Sequence, residues 1–394
     1  MTAATALPAL RSGMAPYAAL SASYFAHVGF FNPYLPLWLQ SMGLSLVAIS
    51  LLGSVQGATR VFAPYAWGWL SDHTGERVRL MRFASVVALV SACLLFLPLG
   101  TAGIAVVLLV MFTHTSAMMP MSEAAMAHLV SRGGEFDSRR YGRVRLWGSL
   151  GFLFTVFAAG VWFERFGMGH FPGWTVATMG AVVLCAWLLP DSREAPHPDH
   201  EPRPAIWPIV RQPEVAWFFA SMFFHILAHI GVYVFFSLYL NQLGYGKAMI
   251  GVQWGISVIV EIVWFLTQGR WLPLLSASAW LVLCAALMVL RSGLTAWAAG
   301  LWMITLAQML HAFTFAAHHA TCIGLISRHF PGRLRGRGQA LFTTIGYGLS
   351  GVLGAWAGGL LSEYVGLRSV YVAGMGVSAL ALVCALMMRQ AQRG

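Results

Sequence analysis

Charge is the scarcest commodity in this chain. Asp, Glu, Lys and Arg together make up 9% of its 394 residues, where a soluble domain carries about 25%. Acidic residues are rarest, 13 against 24 Lys and Arg. Catalytic signatures are missing too: there is no HExxH zinc pair, no GxSxG nucleophile elbow and no P-loop. The chain therefore does not read as an enzyme or as an ATP-driven pump. Cys93, Cys185, Cys284, Cys322 and Cys384 are odd in number, lack CxxC spacing and lie in apolar runs. They form neither a disulfide framework nor a metal set, and read as small buried hydrophobes. The N-terminal MTAATALPALRSGMAPY lacks a short apolar region with a cleavage site, so it does not read as a signal peptide. The net charge of +11 is dispersed over short loops, which argues against a nucleic-acid partner.

What the chain has in abundance is apolar sequence: 58% hydrophobic residues and a mean hydropathy of +0.71. A membrane-spanning helix needs about 20 mostly apolar residues. Runs of that kind occur near 17–39, 44–70, 80–99, 102–130, 142–163 and 173–190, then near 214–240, 248–269, 273–291, 296–327, 338–361 and 367–388. The charged, proline-rich segment 191–213 separates them six and six. The expected architecture is an all-α membrane protein of twelve transmembrane helices in two six-helix halves: 1–190, a cytoplasmic linker 191–213, and 214–394. Arginine sets the orientation. Arg77, Arg79, Arg82, Arg132, Arg139, Arg140, Arg143, Arg270, Arg328, Arg333, Arg335, Arg337, Arg389 and Arg393 share one side with the linker, while Arg165, Lys247 and Arg368 face the other. Positive residues stay inside, so both termini are predicted to be cytoplasmic.

Five charges fall within or at the ends of these runs: Arg60, Glu123, Arg145, Glu261 and Arg291. A charge at the centre of a spanning helix costs roughly 2.5–3.5 kcal/mol on insertion scales, so such residues default to function. Arg60 lies twelve residues from Asp72, about 18 Å along a helix, too deep for easy snorkelling. The alternative is a structural Arg bonded to carbonyls across the bundle. Glu123 and Glu261 each lie about 14 Å from the nearest Arg, and both should face a central cavity. Arg145 and Arg291 sit near the ends of their runs and could reach the headgroups. His311 could titrate near neutral pH or serve as a packing residue. His225/His229 and His318/His319 raise a metal site, against which stands the lack of neighbouring carboxylates or cysteines. Most of the 16 Trp and 25 Phe read as an interfacial belt and lipid-facing packing.

Between the second and third runs the chain reads GWLSDHTGERVR. Gly68 and Gly75 allow close packing and a sharp turn, and Asp72 can accept hydrogen bonds from a helix N-terminus or a nearby Arg. This resembles the G-x-L-x-D-x-x-G-R-[KR] loop of the major facilitator superfamily, which latches the two halves in one state. Gly68, Asp72, Gly75, Arg77 and Arg79 carry the resemblance, with Glu76 and Arg77 filling the stretch after the glycine. The corresponding loop of the second half, QGRWLPLLSASA, keeps only Arg270. Further stretches, YFAHVGFFNPYLPLWLQ, PMSEAAMAHLVSRGGEFDSRRYGRVRLWGSLGF, VIVEIVWF, VLRSG and QMLHAFTFAAHH, are similar to the lactose permease group and, more closely, to the phenylpropionate permease group of that superfamily.

The resemblance implies roles. Glu123 and Arg145 match a carboxylate–guanidinium pair that binds substrate hydroxyls, and Phe152 stands where a Trp stacks on the sugar. Glu261 matches a carboxylate linking substrate and proton sites; Arg291 and His311 match members of a proton-coupling cluster. Thr314 occupies the place of the proton-carrying carboxylate and Gln308 that of its paired Lys, so coupling through that carboxylate cannot operate here. Three arginines against two glutamates leave one positive charge over, which an anionic substrate could neutralise at Arg60 or Arg145.

The expectation is a secondary transporter of the bacterial inner membrane that works by alternating access. Its substrate is a small aromatic carboxylate taken up with a proton. The alternatives are a sugar or nucleoside symporter, or an exporter of the same fold. No cofactor is expected beyond the coupling proton, and the partners are membrane lipid and a small-molecule substrate, with the protein a monomer. Glu261 or Glu123 would carry the proton.

Overall fold

The computed structural model describes residues 13–126, 131–132, 135–136, 138–191, 205–331 and 334–393. Twelve long helical segments run through them. The first half contains α1 (Ala15–Ser41), α2 (Leu46–Thr74), α3 (Arg77–Phe96), α4 (Thr101–Ala125), α5 (Tyr141–Phe166) and α6 (Phe171–Trp187). The second contains α7 (Pro213–Gln242), α8 (Lys247–Leu274), α9 (Ala277–Ala296), α10 (Leu301–His329), α11 (Arg335–Tyr364) and α12 (Leu367–Ala391). Each coincides with a predicted run. Ten are long and apolar enough to cross a membrane. The other two are α1, diluted by Tyr, Ser, His, Asn and Pro, and α6, with 17 residues. Outward faces carry bare apolar side chains such as Leu266, 76% exposed, and Phe154, 73% exposed, which water would not tolerate in such numbers.

Local chemistry sets the turns. Ser45 and Ser276 cap α2 and α9 by accepting from Ala48 N and Ala279 N. Gly75 ends α2 at φ +66°, in the left-handed region where glycine is unstrained. Gly68, expected to serve close packing, has nothing within 4 Å of the place its Cβ would take. It lies on an open helix face, because the loop turns at Gly75 instead. A two-residue antiparallel ladder pairs Ser131–Arg132 with Glu135–Phe136 between α4 and α5. Of the predicted linker, 192–204 lie outside the described residues, and Trp207–Val210 forms one helical turn. The side chains of Arg132, Arg139, Arg140 and Arg333 also lie outside them.

Within the halves, α1 packs along α5 and α6, and α7 along α11 and α12. The halves meet along two seams, α2 with α11 and α5 with α8. Glycine permits both. A Cβ on Gly57 would stand 3.2 Å from the Gly351 backbone, and one on Gly251 would stand 2.6 Å from Val156 O. Backbones this close gain dispersion contact and need no large apolar side chain between them. Three helices of the second half widen into π-turns, at Gly231–Phe235, Ala312–Ala317 and Phe342–Leu349. Such turns cluster at functional sites because they re-aim side chains and free carbonyls.

Candidate functional site

A cavity of about 500 Å³ lies between the halves. Its walls come from α1, α2, α4 and α5 on one side and α7, α8, α10 and α11 on the other. Asn32, Gln56, Arg60, Glu261 and His311 supply most of the polar lining, with Ser116, Ser257 and Thr343, and Phe112, Phe152, Tyr233, Trp254, Phe315 and Tyr347 the aromatic. Tyr233, Phe315 and Tyr347 all stand on the π-turns, which turn them inward. A mostly apolar chamber with a few convergent polar groups is the usual form of a small-molecule site.

Arg60 projects into this chamber from α2. Its guanidinium lies over the Tyr347 ring, 5.8 Å from the centroid, and among the described residues it makes no hydrogen bond or ion pair. The carbonyls that a structural Arg would seek do not reach it. Beside it, Gln56 donates to Asn32 Oδ1 at 3.4 Å, so the two amides tie α1 to α2 at the cavity wall.

On the far wall, Glu261 Oε2 lies 3.6 Å from His311 Nε2. The other ring nitrogen of His311, Nδ1, is 3.2 Å from Arg291 Nη1. A guanidinium has only donors, so Nδ1 presents its lone pair and a neutral His311 carries its proton on Nε2, facing Glu261. Arg291 Nη1 also reaches Thr314 Oγ1 at 2.8 Å and His229 Nε2 at 3.1 Å, while Nη2 donates to Gln308 Oε1 at 3.0 Å. Two Nη1 hydrogens are thus shared among three acceptors, and Nε has no partner among the described residues.

Arg291 does not snorkel: it is 1% exposed and enclosed by protein. Helix α9 continues to Ala296, so Arg291 is not at its end, and Ser292 and Thr295 are buried beside it. Four neutral acceptors solvate the cation, but no carboxylate touches it among the described residues. Its link to an acid runs through His311 to Glu261. Thr314 and Gln308, which replace a carboxylate and a Lys in the resemblance, are both direct partners of Arg291.

The carboxylate–guanidinium pair implied for sugar binding is not joined. Glu123 accepts from Tyr141 Oη at 2.8 Å, and Arg145 lies over the Phe25 ring at 4.7 Å. Neither lines the cavity, whereas Phe152 does. His225 and His229 part company: His225 Nε2 donates to Thr314 O at 2.7 Å and its ring stacks on His318 at 3.8 Å, while His229 serves Arg291. Among the described residues no group of three or more His, Cys, Asp or Glu is placed to hold a metal. In the loop after α2, Asp72 is 56% exposed and pairs with Arg77 of its own half at 2.9 Å, and Glu76 with Arg79 at 3.0 Å.

From the sequence, His229 stood out only as half of a possible metal pair, and Tyr233, Tyr347, Asn32 and Gln56 did not stand out at all. The last two carried a signal, being uncharged polar residues on apolar helices with Gln56 one turn from Arg60. The tyrosines carried none, since nothing local marks a π-turn.

Comparison with known proteins agrees with this picture. The MFS_1 like family matches residues 17–373. The chain is 26% identical over 355 residues to the probable 3-phenylpropionic acid transporter of Escherichia coli (strain K12), covering 87% of this chain and 90% of that protein. It is 27% identical over 367 residues to the maltose permease of Geobacillus stearothermophilus, covering 89% and 87%. A mutant of the nucleoside transporter NupG superposes with a TM-score of 0.85 at 16% identity, over 95% of this chain and 99% of that one. A D-xylose-proton symporter superposes with a TM-score of 0.73 at 13% identity, over 96% and 97%; these two likenesses are of fold. With twelve long helices among its described residues, its central cavity and a family match across nearly its whole length, the chain belongs to the MFS_1 like family and is a secondary transporter of the major facilitator type.

Proposed function

We propose that this transporter is a proton-coupled symporter of a small aromatic carboxylate, working by alternating access in the bacterial inner membrane with both termini cytoplasmic. The observation that carries the reading is Arg60. It is a guanidinium without hydrogen-bond or ion-pair partners among the described residues, in an aromatic-walled chamber. A carboxylate can take two of its N–H groups at once, and Phe152 and Phe315 can flank a ring. The 26% identity to a probable 3-phenylpropionic acid transporter points the same way.

Coupling follows from charge. Among the described residues Glu261 is the one carboxylate lining the cavity, and its contact with His311 leads to a buried Arg291 that no described carboxylate touches. When Glu261 takes a proton, one negative charge leaves the cavity wall and the excess positive charge grows. An anion then binds more tightly, and by linkage the bound anion favours the proton. The two load together, rocking of 1–190 against 214–394 about the linker 191–213 exposes them to the other side, and both leave. No cofactor takes part, and a monomer suffices.

A sugar substrate is the second reading. It draws on the 27% identity to a maltose permease and on the Asn32–Gln56 amide pair, which suits hydroxyl groups. Uptake by proteoliposomes of labelled 3-phenylpropionate, benzoate, maltose and uridine separates the two. Aromatic acids should enter and compete with one another; maltose entering while the acids do not would reverse the assignment.

A further inference from the structure

The turns opposite the arginine-rich loops contain a repeat that the substrate site does not use. Glu164-Arg165-Phe166-Gly167 ends α5, and Glu363-Tyr364-Val365-Gly366 ends α11. Both glycines have positive φ, +81° and +108°. A second pair of repeats opens the helices that follow the first turn of each half: Gly43-Leu44-Ser45 before α2 and Gly244-Tyr245-Gly246 before α8, with φ +81° at Gly43 and +88° at Gly244. Each half therefore carries one acidic helix end and one open helix start.

These elements pair across the halves. Glu363 of the second half accepts from Leu46 N at 2.7 Å and Val47 N at 3.3 Å, in the first turn of α2. Glu164 of the first half accepts from Ala248 N at 3.3 Å, in the first turn of α8. A Cβ on Gly246 would overlap the Glu164 carboxylate, so the N-cap of α8 is left bare where the other half's acid occupies the capping place. Between the two contacts, Asn241 Nδ2 donates to Gln40 Oε1 at 3.3 Å. These two residues stand at equivalent positions, each three before the turn glycine, so the pseudo-twofold axis of the fold passes through their contact. A carboxylate on the first turn of a helix satisfies orphan N–H groups and meets the positive end of the dipole. Here each such bond exists only while the halves are closed at this end.

We propose that Glu164 and Glu363 are a crossed pair of outer-gate latches, each capping a helix of the opposite half, and that both release when the cavity opens on this side. The two seams they guard, α5 with α8 and α2 with α11, are the ones along which the halves meet. The proposal needs the rocking of the halves, and stands whatever the substrate or coupling ion.

Spin labels at Met42→Cys and Leu243→Cys, both exposed positions across this mouth, in a Cys93→Ser background, would report its width by pulsed electron resonance. A carboxylate at a helix N-terminus shifts an equilibrium by roughly 2- to 5-fold. The Glu164→Ala and Glu363→Ala variants should each raise the open-mouth population by about that factor, and the double variant by about 4- to 25-fold. Gln at both positions keeps an acceptor oxygen and should give a smaller shift; it also serves if the Ala variants fold poorly. Caps that merely stabilise each helix would lower the unfolding temperature and leave the distance distribution alone. An unchanged distribution in monodisperse double Ala or double Gln protein overturns the proposal.

Discussion

Replacing Arg60 by Gln gives the sharpest test of anion recognition, because the structure leaves that guanidinium with no hydrogen-bond or ion-pair partner among the described residues to lose except the substrate. Gln keeps much of the length and polarity of the side chain and removes the charge and the fork. Truncating one member of a close, desolvated charge pair costs about 2–5 kcal/mol. The cavity, about 500 Å³, is large enough to hold water beside a small acid, which places the effect at the lower end, about 2–3 kcal/mol. The dissociation constant for 3-phenylpropionate should then rise about 30- to 150-fold. Its neutral amide tests the origin of the loss, since it offers no negative charge to Arg60, and its binding should change less than about 3-fold. Arg60→Lys should fall between, keeping the charge without bidentate geometry. Calorimetric titration of detergent-purified protein measures all six combinations. An equal loss for acid and amide would mean that Arg60 shapes the cavity, and no loss for the acid would remove the anion reading.

Two further outcomes follow from the packing. Thr314→Val is nearly isosteric and deletes the 2.8 Å acceptor of Arg291 Nη1; with two histidines still in reach, it should cost about 1–1.5 kcal/mol of stability, while Thr314→Ser should cost little. Unfolding temperatures equal for Val and wild type would contradict the role assigned to that bond. Gly57→Val would push a side chain into the Gly351 backbone, 3.2 Å from its Cβ. Overpacking by about 1–3 kcal/mol on the closed seam should favour the state open at that end, seen as faster labelling, from that side, of a cysteine introduced into the cavity by Val28→Cys; an unchanged rate would refute the seam's importance.

The helices were legible because apolar runs and glycine turns are local features: every predicted run became a helix, and Gly75 turns where the spacing required. The deep positions of Arg60 and Glu261 also followed from counting residues along a helix. The depth of Arg291 was missed because its run fades into SGLTA, whose small and polar residues look like a membrane exit; in the fold α9 continues to Ala296, with Ser292 and Thr295 buried. The separation of Glu123 from Arg145 depends on which way α4 and α5 face, and no local pattern encodes that. Glu164 and Glu363 were passed over for the opposite reason: near a helix end, an acidic residue looks like ordinary surface until the other half is brought against it.

In the proposed cycle a proton and an organic anion cross together, with Glu261 carrying the proton. Proteoliposomes holding the purified protein, loaded at neutral pH and diluted into acidic buffer with labelled 3-phenylpropionate, test it directly once passive entry of the uncharged acid is subtracted with protein-free vesicles. Accumulation above equilibrium that collapses with a protonophore is expected. Glu261→Gln should exchange internal for external acid without accumulation. Protein-dependent accumulation indifferent to the pH gradient, or full accumulation by Glu261→Gln, would contradict it.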